Sequence, residues 1–163
     1  MGTFLNPGKN AFEEAVRSEI YVDKTDMILH LNAVVGTKQK YVSVSRPRRF
    51  GKSMAADMIC AYYDRTAESR EVFENYKIAK QENNGAGVGF APWDACLGRF
   101  DVVRIVMTRF FKKRSTVQEG LSRLQDLVIR EFRKTYPTVD YYSEHDLLQT
   151  VEDVYTSVDR QVV

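Results

Sequence analysis

The chain has 163 residues, 44% of them apolar, and a net charge of only +2. That is one domain's length with enough apolar side chains for a core, and too little net charge for a protein built to coat nucleic acid. No apolar run reaches the ~18 residues of a membrane span, and Met1–Lys9 lacks the apolar stretch of a secretion signal.

In chain order, Asn6-Pro7-Gly8 reads as a turn, and Asn10 as the cap of a short helix over Ala11–Ser18. Residues 19–22 are extended. Asp23 or Thr25 then caps a helix reaching about Val35, with Met27, Ile28, Leu31, Val34 and Val35 on one face and Gly36 as its stop. Tyr41, Val42 and Val44 have the pattern of a buried parallel strand. A basic turn and Gly51-Lys52-Ser53 follow. Met54, Ala55, Met58, Ile59 and Tyr62 then recur at helical spacing to about Asp64.

Ser69–Tyr76 is a short helix, and Lys80–Gly89, with Asn83-Asn84-Gly85, is the most loop-like stretch. Phe100–Met107 is a strand, apolar apart from Asp101 and Arg104. A helix over Thr116–Thr135 carries the stripe Val117, Leu121, Leu124, Val128 and Phe132 and ends before Pro137. The last helix is capped by Ser143, with Asp146 three residues on, and buries Leu147, Val151, Val154 and Val158. Gln161–Val163 opens a further strand. Strands alternating with crossover-length helices predict an α/β fold with a parallel sheet and flanking helices.

The chemistry concentrates at the strand–loop–helix around Gly51. The first turn of a helix has backbone N–H groups without intrahelical partners, and the helix dipole adds partial positive charge there. Gly51 admits an anion close to the backbone, Lys52 reaches the β- and γ-phosphates, and the Ser53 hydroxyl ligates Mg²⁺. From Lys38 to Lys52 there are six basic residues and no acid. The strict P-loop pattern places a glycine five residues before Gly51, where this chain has Arg46.

The string Ser45-Arg46-Pro47-Arg48-Arg49-Phe50-Gly51-Lys52-Ser53 resembles the variant P-loop of a bacterial and archaeal AAA-ATPase-like family, whose members often carry a C-terminal restriction-endonuclease-like nuclease domain. Tyr21-Val22-Asp23-Lys24-Thr25 resembles the family's element before the loop. The Asn6-Pro7-Gly8 turn with Phe12, and Trp93 followed by Phe100–Met107, extend the resemblance over most of the chain. It implies that arginine at position 46 is the rule for such loops. It also implies a P-loop NTPase-like sheet, incomplete at the C-terminus. The family's Asp-Glu-ended Walker B strand is expected just after Gln161–Val163, so residues 1–163 read as the N-terminal part of a longer protein, lacking that strand and any nuclease-like domain.

The expected nucleotide-binding set is Arg48, Arg49, Phe50, Gly51, Lys52, Ser53 and Met54, with ATP and Mg²⁺ as cofactors. Phe50 reads as packing beneath the loop. Arg46, Arg48 and Arg49 either touch phosphate or pair with acids elsewhere. Asp23 reads as a helix cap and Lys24 as a solvated charge, although the resemblance allows both a role. Thr108 and Arg109 end a strand on the ligand edge, as a sensor or a solvated end. His30 and His145 have no partner at metal or triad spacing. Cys60 and Cys96 make no metal pattern; Cys60 reads as a buried small residue, and the two cysteines without a secretion signal suggest a reducing cytoplasm.

ATP binding, with hydrolysis by the full-length ATPase, is the leading function. The alternative is a nucleic-acid-binding module using the basic loop and Lys112-Lys113-Arg114, a cluster that otherwise reads as a solvated loop. Nucleic acid is also an expected partner of the missing C-terminal region. A small-molecule kinase ranks last, for want of an acceptor-site pattern.

Overall fold

The computed structural model describes residues 2–45, 47, 49–80, 92–111, 116–158 and 161–163. Arg46, Arg48, the Asn83-Asn84-Gly85 stretch and Lys112–Arg114 lie outside them. The helices are α1 (Asn10–Val16), α2 (Met27–Val34), α3 (Lys52–Tyr63), α4 (Arg70–Phe73), α5 (Lys77–Lys80), α6 (Val117–Thr135) and α7 (Leu147–Val158). The chain divides into two compact units, Gly8–Arg99 and Met1–Pro7 with Phe100–Val163.

Among the described residues the expected parallel sheet is not present: the fold is mostly helical, and those residues contain no strand. They hold only isolated bridges, among them Leu5 with Val103 antiparallel and Asp101 with Val162 parallel. The β-branched run before the loop is solvent-facing, with Tyr41 87% exposed and Val42 and Val44 about half exposed. A central parallel strand forms only where neighbours supply backbone partners on each edge and cover both faces. This run has β propensity without that burial. Phe100–Met107 is likewise not a strand. Phe100, Asp101 and Val102 are buried, but Met107–Arg109 is a 3₁₀ turn. Gln161–Val163 contributes one parallel bridge: the Asp101 N–H donates to the Gln161 carbonyl at 3.0 Å, and the Val163 N–H to the Asp101 carbonyl at 2.8 Å.

In the Gly8–Arg99 unit α1 packs on α3. Its centre is aromatic. Phe12 stacks on Phe73 with centroids 5.2 Å apart, and Tyr62 meets Phe73 edge-on at 5.4 Å. Such pairs add roughly 0.5–1.5 kcal/mol beyond area burial. Tyr62 and Tyr63 are fastened by Asn32, whose amide nitrogen donates to the Tyr62 hydroxyl at 2.8 Å and whose amide oxygen accepts from Tyr63 at 2.7 Å.

The end of α3 is secured by Asp64, which is fully buried. One carboxylate oxygen accepts the Thr66 N–H at 2.8 Å and the Thr66 hydroxyl at 2.7 Å; the other accepts the Gly8 N–H at 2.6 Å. A buried carboxylate is tolerated because its lone pairs are used in this way.

In the other unit the apolar stripes of α6 and α7 meet around Leu124, Val128, Phe132 and Val154, joined by Leu5, Phe110 and Tyr136. Leu147, Val151 and Val158 pack against that cluster as their spacing predicts. The α6 stripe is exposed at its start, at Val117 and Leu121. Thr116 and Glu119 close a capping box at that end. For α7 the Leu148 and Gln149 N–H groups are taken by Asp146, at 2.9 and 3.1 Å, and not by Ser143. Asp101 is buried between Asn6, whose amide donates to it at 2.6 Å, and the Tyr136 hydroxyl.

Two expectations follow. Asp64→Ala leaves buried donors unsatisfied and should cost about 3 kcal/mol, read by urea unfolding. Burial pushes the Tyr62 phenol up to about 12 from its ordinary 10, and raises those of Tyr63 and Tyr21 as well. The folded state therefore favours the neutral phenol. The linked stability is complete below pH 10 and is lost as pH rises toward 12 through Tyr62. Alkaline melting curves for wild type and Tyr62→Phe should diverge in that window.

Candidate nucleotide site

The turn into α3 is built from left-handed backbone. Arg49 has φ 68° and Gly51 has φ 75°. For glycine this costs nothing sterically, whereas for arginine the left-handed region costs roughly 1–2 kcal/mol. Gly51 is the N-cap of α3 and supplies no capping side chain. The first intrahelical bond runs from the Ala55 N–H to the Gly51 carbonyl at 2.9 Å. The positive end of a twelve-residue helix thus begins at the Gly-Lys-Ser sequence, with no side-chain cap over it.

The segment before the loop is organised by Asp23. One of its oxygens accepts the Thr25 N–H at 2.9 Å and the Thr25 hydroxyl at 2.7 Å; the other accepts the Lys77 N–H at 2.7 Å. The Thr25 oxygen in turn accepts the Ile78 N–H at 3.1 Å. Asp23 and Thr25 therefore cap the first residues of α5, not α2 as expected. The N-cap of α2 is Asp26, which makes no side-chain capping bond. Lys24, between the two anchors, lies beside the loop: its ammonium nitrogen is 3.9 Å from where a Cβ on Gly51 would sit.

A cavity of about 260 Å³ opens at this point. Gly51, Met54, Ala55 and Met58 line it from one face of α3, at helical spacing. Tyr21, Val22 and Lys24 line it from the preceding segment, and Arg49 and Phe50 from the turn. Phe50, expected to pack beneath the loop, is 59% exposed at this cavity. Burial, with Asp23 and Tyr76 nearby, pushes the Tyr21 phenol up, so it stays neutral.

Among the expected site residues, Arg49, Phe50, Gly51 and Met54 share the cavity. Lys52 and Ser53 are exposed on the first turn of α3, outside its lining, and Arg48 lies outside the described residues. Lys24 is the residue the sequence undervalued. Its signal was its place in the Tyr-Val-Asp-Lys-Thr string. Thr108 and Arg109 are exposed on a 3₁₀ turn in the unit that does not carry the loop. His30 is exposed on α2, and His145 is 3.9 Å from Asp126 on an exposed surface. Cys60 is buried, and the Cys96 thiol is pushed up by burial.

A family model described as Predicted AAA-ATPase matches residues 8–163. The chain belongs to the AAA-ATPase-like family. No curated protein and no solved structure matches it. Membership of the AAA-ATPase-like family supports a nucleotide-binding theme for the region that contains the Gly51 turn. Among the described residues no cluster of three His, Cys, Asp or Glu side chains is placed to hold a metal, and no helix is long and apolar enough to cross a membrane. The Ser53 hydroxyl, exposed on the first turn of α3, is a hard oxygen of the kind Mg²⁺ takes when phosphates and waters supply its other ligands.

Gly51→Ala places a Cβ at φ 75° and should destabilise the turn by about 1 kcal/mol, read by thermal melting. Steric space is not the cause, since the nearest neighbour is Lys24 at ordinary contact distance.

Proposed function

We propose that the chain binds ATP with Mg²⁺ through residues 48–54. The observation that carries this is the left-handed Gly51 opening an α-helix without a side-chain cap, with the Lys24 ammonium against it. In this reading the β- and γ-phosphates meet the first-turn N–H groups of α3 and the Lys52 ammonium. Lys24 and Arg49 offset charge on the phosphate chain. Ser53 would be the protein's ligand to Mg²⁺, which would offset negative charge on the phosphates. The full-length protein acts as an ATPase in the cytoplasm, and nucleic acid is a partner met through a C-terminal region.

Among the described residues no acidic side chain lines the cavity. Hydrolysis needs a carboxylate to orient the attacking water, and none is assigned beside the loop, so slow turnover by these 163 residues is expected. The competing reading, that the basic turn holds nucleic-acid phosphates, predicts a salt dependence with a log–log slope of roughly −0.9 per phosphate contacted.

The test is titration with a fluorescent ATP analogue and Mg²⁺. Saturable binding is expected, weakened about 10–100-fold in Lys52→Ala by loss of a charged hydrogen bond. Absence of binding in a folded sample, or unchanged affinity in Lys52→Ala, refutes the proposal. Rapid hydrolysis by the wild-type chain refutes the expectation of slow turnover.

A further inference from the structure

The cavity beside Gly51 is lined by two chemically different sets of side chains. Lys24, whose ammonium lies against Gly51 at the N-terminus of α3, and Arg49 are cationic. Val22, Met54 and Met58 are apolar, and Tyr21 adds an aromatic ring. A ligand that satisfies both has a flat apolar body joined to anionic groups. The volume, about 260 Å³, falls just below the ~300–1,000 Å³ of pockets that enclose whole ligands. It suits one ring system, with the rest of the ligand running out past the loop.

The walls suit a ring. Tyr21 is fixed edge-on between Phe12, at 6.2 Å, and Tyr76, at 5.5 Å. Opposite chemistry comes from Met54, whose flexible thioether conforms to an aromatic face. Phe50 stands exposed at the rim, an aromatic side chain that gains burial when a ring enters.

What the lining lacks is equally informative. Among the described residues its polar side chains are Tyr21, Lys24 and Arg49, and the two cations suit phosphate rather than a ring edge. A site that distinguishes ring edges places buried donors and acceptors against them; a site lined by apolar groups reads area and shape instead.

Building on the nucleotide reading above, we infer that this cavity holds the base, and that it selects purine over pyrimidine nucleotides by buried area with little discrimination between adenine and guanine. Phe50 and Ala55 are the residues that set this selectivity. Phe50 covers the ring, and Ala55 leaves room for it on the α3 face.

The experiment is calorimetric titration of the full chain, with Mg²⁺, by ATP, GTP, CTP, UTP and inorganic tripolyphosphate. ATP and GTP should bind within about threefold of each other and about tenfold tighter than CTP and UTP, with tripolyphosphate weakest. Ala55→Leu, which fills the cavity, should bring ATP down to the affinity of tripolyphosphate while leaving tripolyphosphate unchanged. Phe50→Ala, at an exposed position, should weaken ATP about fivefold, and by more than it weakens tripolyphosphate.

Equal binding of all five ligands overturns the base pocket and leaves the phosphate loop standing. A strong preference for ATP over GTP overturns area-based recognition. Loss of tripolyphosphate binding in Ala55→Leu shows damage to the loop, and Phe50→Ala then decides: unchanged ATP affinity in that variant overturns the inference. If neither nucleotides nor tripolyphosphate bind, the nucleotide reading itself falls, and this inference with it.

Discussion

The Asp23 carboxylate accepts three hydrogens at once, and the composition of the candidate site depends on it. By holding the Thr25 N–H, the Thr25 hydroxyl and the Lys77 N–H, it fixes a tight turn and ties that turn to the start of α5. Lys24 is the residue left between the two anchored side chains. Without the turn, a lysine has about 2 kcal/mol of rotamer freedom to lose before it can stay beside Gly51. The turn reduces the search by fixing the backbone from which the side chain starts.

Asp64 repeats the device at the far end of α3. Asp64-Arg65-Thr66 has the same residue pattern as Asp23-Lys24-Thr25, and the same bonds. One oxygen takes the threonine N–H and hydroxyl, and the second takes a remote backbone N–H, here that of Gly8. Each turn therefore joins segments more than fifty residues apart: 23 to 77, and 64 to 8. In a unit whose described residues form no sheet, these polar ties do part of the work that a ladder does elsewhere. The aromatic cluster around Phe12 and Phe73 supplies the apolar remainder.

The site combines a local feature with a long-range one. The left-handed turn at Arg49 and Gly51, together with α3, needs only nearby sequence. The cavity needs α1, the Ile20–Lys24 segment and α3 at once. Its apolar face is the surface left where Tyr21 and Val22 approach the Met54–Met58 side of α3. The helix-end and flank parts of the site thus share a helix but have different origins. One is backbone polarity at the helix end; the other is side-chain packing along its flank.

The amino-acid sequence by itself determined what closes over short distances. The start of α3 at Gly51-Lys52-Ser53, the stripes of α6 and α7 and the stop at Gly36 all follow from hydrogen bonds and side-chain spacings of four residues or fewer. Tertiary structure alone decided which N–H groups Asp23 caps, that Lys24 reaches the loop, and that Phe50 stands at a cavity rim and not beneath the turn. It also decided that Tyr41–Val44, for all its β-branched character, lies exposed, while pairing falls to isolated bridges at Leu5 and Val162. The reason is common to all of these. A helix satisfies its backbone from within its own segment, but a strand, a cavity or a carboxylate that bridges distant residues is completed by groups whose approach no local spacing specifies.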